Sequence, residues 1–358
     1  MITIITVSVF SVFLAFMGKY KKFKFLFEVA FIIIFLFTAL RFNFGRDYLN
    51  YYDLFMSISK YQSIKDINFD NFKVERGWVI LNFLFKPIGF FGLIFVLSAF
   101  ISFTYYSLIK KYVSPNYYWF AIFIFAFSTD IMWMQFSAIR QALSITIFIY
   151  SVKYITKTNK PLLFVLFNLF GSLFHTSALF MVPLVIFSFN KLRNNKILGA
   201  LIMASFWLLL LLGEKYFSRL SMLTAIISGD SYTNLFDIER DTSVTFIGGV
   251  AWSLILFIVI YYLRKQDDKI KNFFYLSSFH SMIYVVTPLI QLADRMGYYF
   301  APFTIITFPF ILQSEKKRII KVAIMFIYIA FLLNRLIDFS GLEWVIAGFS
   351  EYKTILSK

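Results

Sequence analysis

Pro161-Leu-Leu-Phe-Val-Leu-Phe-Asn-Leu-Phe-Gly171-Ser-Leu-Phe-His175-Thr-Ser-Ala-Leu-Phe-Met-Val-Pro183-Leu-Val-Ile-Phe187 is the stretch on which the fold turns. Read as one long tilted helix, it carries the chain across a bilayer once. Read as two short spans meeting at His175, it brings the chain back, and every later loop changes sides. Charge decides between the two. With two spans the total is about twelve. One side then collects the basic clusters 19–24, 110–111, 153–160, 191–196, 264–271 and 316–321, with 20 Lys+Arg against three acids, Asp267, Asp268 and Glu315. The other side holds the remaining 15 Lys+Arg and 15 Asp+Glu, with Glu28 inside the span 25–40. With a single span the later basic clusters would move to the wrong side. Cytoplasmic loops gather Lys and Arg, so both termini are expected outside and the basic loops in the cytoplasm.

Composition sets the class. The 358 residues are 60% hydrophobic and only 15% charged, with mean hydropathy +0.75. Soluble domains carry roughly 25% charged residues, so this is a polytopic membrane protein, all-α, read as a single transmembrane domain over residues 1–358. Fifty phenylalanines suit lipid-facing and interhelical surfaces. A net charge of +16 would suit nucleic acid, but the basic residues lie in short clusters between apolar runs, which is topology rather than a nucleic-acid footprint. The absence of cysteine excludes disulfides, thiolate catalysis and Cys-ligated metal. The first apolar run lacks a basic leader and a small-residue cleavage site, and reads as a retained span.

The expected spans are 2–17, 25–40, 88–109, 117–134, 138–155, the pair within 161–187, 197–213, 245–263, 273–290, 298–313 and 319–337. A single helix over 78–109 would be about 48 Å long, against a hydrocarbon core of roughly 30 Å. Lys86-Pro87 breaks that run, so 78–86 reads as a short separate helix. Segments 41–77 and 214–244 become outer-face loops.

This topology gathers Arg41, Arg46, Asp47, Glu75, Arg76, Asp130, Arg140, His175, Asp294 and Arg295 at the outer ends of spans. Ionisable groups near apolar helices are costly and usually face a bundle interior or cavity. An outward-facing cavity lined by arginines, carboxylates and a histidine is the simplest common explanation. Independent interfacial pairs account well for Arg76 and Asp130, and poorly for Arg140 and His175. Arg140 opens a helix among small residues and needs an anion, with no carboxylate beside it in sequence. His175 sits at the proposed break with hydroxyl neighbours, Thr176 and Ser177. His280, inside an apolar span, reads as a packed or hydrogen-bonded histidine. A metal site from these two distant histidines is rejected.

Taken in order, Arg41…Gly45-Arg46-Asp47-Tyr48…Tyr51, Glu75-Arg-Gly77…Leu81-Asn82, Ile139-Arg140-Gln141-Ala142-Leu143, Phe174-His175-Thr-Ser177-Ala178 and Asp294-Arg295…Tyr298-Tyr299-Phe300 resemble segments of the EpsG family of Wzy-like polymerases. Arg46 stands where the family often has a small or polar residue. Arg76 beside Glu75 is a second departure, and both would suit an acidic repeat unit.

The resemblance implies a GT-C-like polymerase architecture with irregular outer-face segments, in the bacterial inner membrane. It implies a glycosyltransferase that joins oligosaccharide repeat units carried on undecaprenyl diphosphate into capsule, exopolysaccharide or O-antigen. No metal or cofactor is expected. Partners would be the lipid-linked oligosaccharide, membrane lipids, and a chain-length regulator and flippase of the same pathway. Arg41, Arg46, Arg140 and Arg295 would hold the diphosphate by planar, bidentate contacts. Tyr48 and Tyr51 would offer faces to sugar, and His175, Asp47 or Glu75 would serve as base. A flippase of the same lipid-linked sugars would use the arginines as a moving anion site. An acyltransferase acting on surface polysaccharide would also want a histidine, but on the cytoplasmic face.

Overall fold

The computed structural model describes residues 1–188, 242–263, 268–286 and 291–356, with isolated positions between 201 and 208. The expected span 197–213 and most of the 214–244 loop lie outside the described residues, as does the side chain of Asp294. Helices dominate: α1 (Ile2–Met17), α2 (Leu26–Ala39), α3 (Tyr48–Ser59), α4 (Arg76–Leu84), α5 (Gly89–Tyr112), α6 (Tyr118–Phe127), α7 (Met134–Ser137), α8 (Ile139–Thr156) and α9 (Pro161–Ser172) come first. A 3₁₀ segment (Thr176–Ser188) follows, then α10 (Thr242–Leu263), α11 (Asp268–Val286), α12 (Gln291–Phe300), α13 (Thr304–Ser314), α14 (Arg318–Ser340) and α15 (Glu343–Gly348). Helices close their own backbone hydrogen bonds, as an apolar solvent demands.

Among the described residues, α5 and α14 are long and apolar enough to cross a bilayer alone. Residues 115–127 and 129–137 form a pair bent by 56° that would make a third crossing. The bend falls at a π-helical turn, Thr129–Trp133, a usual cause of sharp kinks. α1, α2, α9, Thr176–Ile186 and Gly248–Leu263 are apolar but shorter.

The decisive stretch is broken where expected. α9 opens on Pro161, whose missing N–H costs nothing in a first turn. It ends at Ser172, and the chain turns through His175 before the 3₁₀ segment begins at Thr176. The short helix expected over 78–86 is α4, and α5 follows it separately.

Both chain ends meet at one end of the bundle. The Met1 amino group donates to the Phe349 carbonyl. Arg41–Phe42 pairs antiparallel with Lys353–Thr354, and Ile355 N donates to Leu40 O at 2.9 Å. Gly45, at φ 109°, donates its N–H to Gly348 O at 2.9 Å, and a Cβ there would lie 2.3 Å from the Phe136 carbonyl oxygen. Only glycine permits that approach. At the other end Lys110 pairs with Glu28 at 2.7 Å, and Lys321 donates to Tyr117 at 3.1 Å. Between the two ends the core is largely aromatic: Phe27 stacks on Tyr118 at 4.1 Å and Phe308 on Tyr328 at 3.5 Å.

Candidate functional site

Glu75 is the residue before α4, and Arg140 lies in the first turn of α8. The guanidinium of Arg140 donates from Nη1 to Glu75 Oε2. The other carboxylate oxygen, Oε1, accepts the Thr176 backbone N–H at 3.0 Å. One carboxylate thus ties α4, α8 and the His175 turn together. The next glycine permits this closeness: a Cβ on Gly77 would lie 2.6 Å from Leu173. The anion that Arg140 needs, with no carboxylate beside it in sequence, is supplied by Glu75 from 65 positions earlier. Local sequence hides such a pair. The Arg140 guanidinium also lies over Tyr51, 5.9 Å from the ring centroid, and Tyr51 meets Trp78 edge-on. Arg140 Nε is buried and finds no partner among the described residues.

His175 lies in the turn between α9 and the 3₁₀ segment. Its Nδ1 is 2.6 Å from Ser177 Oγ, which lies 3.0 Å from the Tyr299 hydroxyl. Tyr299 donates to Ser144 Oγ at 2.9 Å, and Ser144 donates to the Gly171 carbonyl at 3.1 Å. A line of hydroxyls therefore holds one ring nitrogen and leaves Nε2 without a hydrogen-bond partner among the described residues. Burial pushes the imidazole down to about 4; Glu75 opposes the shift, while Arg140 and Arg295 add to it. At neutral pH the ring is uncharged and can accept a proton. Arg295, with an exposed side chain on α12, is seated by its carbonyl, which accepts from Gln141 Nε2 at 2.7 Å.

Glu75, Arg140, His175, Arg295 and Tyr51 thus come together from five parts of the chain. The remaining candidates stand around them. Arg41 is 2% exposed, donates from Nη1 to Thr38 O at 2.5 Å and lies over the Phe136 ring. Tyr48 is buried, donates to Arg41 O at 3.1 Å and meets Phe90 edge-on. Both pack beneath the loop rather than lining its surface. Arg46 is exposed, with its guanidinium over Trp344, and Asp47 is the half-buried residue before α3. Ser144 reads from sequence only as a small residue allowing close helix approach, and neither Trp344 nor a role for Tyr299 is legible there. Tyr299 lies inside a quoted segment, and only the fold shows which hydroxyls it meets.

Asp130 is not an interfacial pair. It is buried 3% exposed, accepts both Arg335 Nη1 at 2.6 Å and Nη2 at 3.2 Å, and meets His280 Nε2 at 3.1 Å and the Tyr284 hydroxyl at 2.6 Å. His280 is hydrogen-bonded, as its place inside an apolar span predicts. This satisfied network ties the π-turn to α11 and α14. Arg335 lies within an apolar run, where an arginine requires a partner.

The fold and site are those of a helical membrane protein with an arginine–carboxylate–histidine cluster at the end shared by both termini. The profile of the EpsG family matches residues 24–354, nearly the whole chain, and the chain belongs to that family. Membership makes it, in general terms, a Wzy-like polysaccharide polymerase, a glycosyltransferase-like integral membrane protein acting on lipid-linked oligosaccharide. No curated protein matches it, and no solved structure does.

Proposed function

We propose that the chain joins oligosaccharide repeat units carried on undecaprenyl diphosphate, at the outer face of the bacterial inner membrane, using the Glu75–Arg140–His175 site. In this reading twelve spans place both termini outside. The observation that carries it is convergence: residues from four of the five family-like segments meet in one cluster through Glu75, Arg140, His175, Ser177 and Tyr299.

In the reaction, the bond between the growing chain's reducing-end carbon and its phosphate oxygen breaks. A bond from that carbon to a hydroxyl oxygen of the incoming unit forms. The lipid diphosphate leaves with the electron pair, and the hydroxyl proton passes to a base. His175 Nε2 is that base; Glu75 Oε and Asp47 are the alternatives. Glu75 holds Arg140 and, through the Thr176 N–H, the histidine turn. Arg295 and Arg140 stabilise charge developing on the leaving diphosphate, which bidentate guanidinium contacts suit. Trp344 offers a ring face to sugar, buried Tyr51 holds the Arg140 guanidinium, and Arg46 would favour an acidic repeat unit. A flippase and a chain-length regulator would act before and alongside this step, and capsule, exopolysaccharide or O-antigen would be its product.

The test incubates purified protein with lipid-linked repeat units in detergent. A ladder of longer glycans supports the reading. Unchanged substrate, with binding demonstrated, would favour transport.

A further inference from the structure

A cleft opens between the ends of α5 and α8, lined by Lys111, Tyr112, Tyr150 and Lys153. Lys153 lies about 20 Å from Arg140 along α8, at 1.5 Å per residue. The cleft is therefore at the end of the bundle opposite the Glu75–Arg140–His175 site. Its lining is of two kinds. Leu108, Ile149 and Val152 are apolar, while Thr104, Ser107 and Thr156 bring hydroxyls.

Two ammonium groups converge on one ring here, and a third lysine, with its Nζ 4.9 Å from the Tyr154 centroid, lines the cleft. Lys157 Nζ is 4.7 Å and Lys111 Nζ 5.4 Å from the centroid of the same Tyr112 ring, and Lys153 lines the same cleft. Among the described residues, none of the three is in an ion pair, whereas the adjacent Lys110 pairs with Glu28 at 2.7 Å. Helix C-termini attract lysines through their dipoles, which accounts for one lysine at each helix end. It does not account for two converging on one ring beside an amphipathic cleft. Like charges brought this close repel unless an anion sits between them.

We propose that this cleft binds an anionic glycerophospholipid. The phosphate lies among Lys111, Lys153 and Lys157, and the glycerol and first acyl carbons run along Leu108, Ile149 and Val152. Basic pockets between transmembrane helices suit such headgroups. This inference is independent of the transfer reaction proposed for the opposite end.

Native mass spectrometry of the purified full chain, titrated with phosphatidylglycerol or with phosphatidylcholine of the same acyl chains, tests it. Each lysine near a phosphate should contribute about fivefold, and the three on the order of 100-fold. Wild-type protein should prefer phosphatidylglycerol by that margin. The triple change Lys111→Gln, Lys153→Gln, Lys157→Gln should abolish the preference, and the triple change to Arg should retain it. Should the glutamine triple variant aggregate, Lys153→Gln alone decides, with an expected loss of about fivefold. Equal binding of the two lipids by wild type, or an undiminished preference in the glutamine variants, would overturn the proposal. Displacement of the lipid by millimolar glycerol phosphate would also overturn it, in favour of a soluble-anion site.

Discussion

The Glu75–Arg140 pair can be probed by a double-mutant cycle, with Glu75→Gln, Arg140→Gln and both together. The side chains are 15% and 22% exposed, so the pair is largely but not fully dry. Exposed pairs contribute about 0.2–1 kcal/mol, and breaking a fully buried one costs about 3–5 kcal/mol. This pair falls between, and a coupling of about 2 kcal/mol is expected. Glutamine can still accept the Thr176 N–H through its amide oxygen, so the loop contact, on the order of 1 kcal/mol, survives in Glu75→Gln. The coupling should then report the ion pair itself. The assay is the initial rate of chain extension from lipid-linked repeat units, at substrate far below saturation. Each single change should slow the reaction, and the double variant should be faster than the product of the two losses predicts, by about 30-fold. Losses that multiply to within about threefold would mean that the two residues act separately. The pair would then be an incidental contact, and the idea that Glu75 delivers Arg140 to the site would fail.

Four further outcomes follow from the same geometry. Arg140→Lys should lose most activity although charge is kept, because a point charge cannot replace a planar fork; near-normal extension by Arg140→Lys and Arg140→Ala would remove Arg140 from the site. His175→Gln should keep membrane expression and substrate binding while turnover falls by about 10²–10⁴-fold, and retained turnover would pass the role to Glu75 or Asp47. Burial lowers the imidazole to about 4, so the ring is already unprotonated above that pH; the acid limb of the pH–rate profile should lie near pH 4, and a midpoint near 6.5 would contradict a buried histidine as base. Gln62→Cys, at an exposed position of segment 41–77, should react with an impermeant thiol reagent in intact cells, and labelling only after lysis would reverse the topology.

Much of the architecture was legible because membrane segments are written locally. The apolar runs 2–17, 25–40 and 319–337 correspond closely to α1, α2 and α14. The hydroxyl-rich His175-Thr-Ser interruption of an apolar run marked the break after α9. The separation of α4 from α5 followed from length and Pro87. Partnerships across the chain were not legible. Nothing near Glu75 points to Arg140, and nothing near Asp130 points to Arg335, which lies 205 positions later. The strand pairing of Arg41–Phe42 with Lys353–Thr354 is two residues long, too short for any alternation to announce it. Arg41 shows the same limit in reverse. Its place at the outer end of a span suggested a cavity-lining anion ligand, yet the chain packs it against Phe136 and burial lowers its guanidinium to about 10.

Transfer with a lipid diphosphate as leaving group fixes the stoichiometry of the reaction. The most direct measurement counts products in a single reaction of purified protein with lipid-linked repeat units. New glycosidic bonds are quantified from the glycan ladder, and free lipid diphosphate is quantified by phosphorus analysis of the organic phase. One lipid diphosphate should be released for each bond formed, with both falling together in His175→Gln. Repeat units that stay on their lipid while the protein binds them, with no free diphosphate, would contradict it.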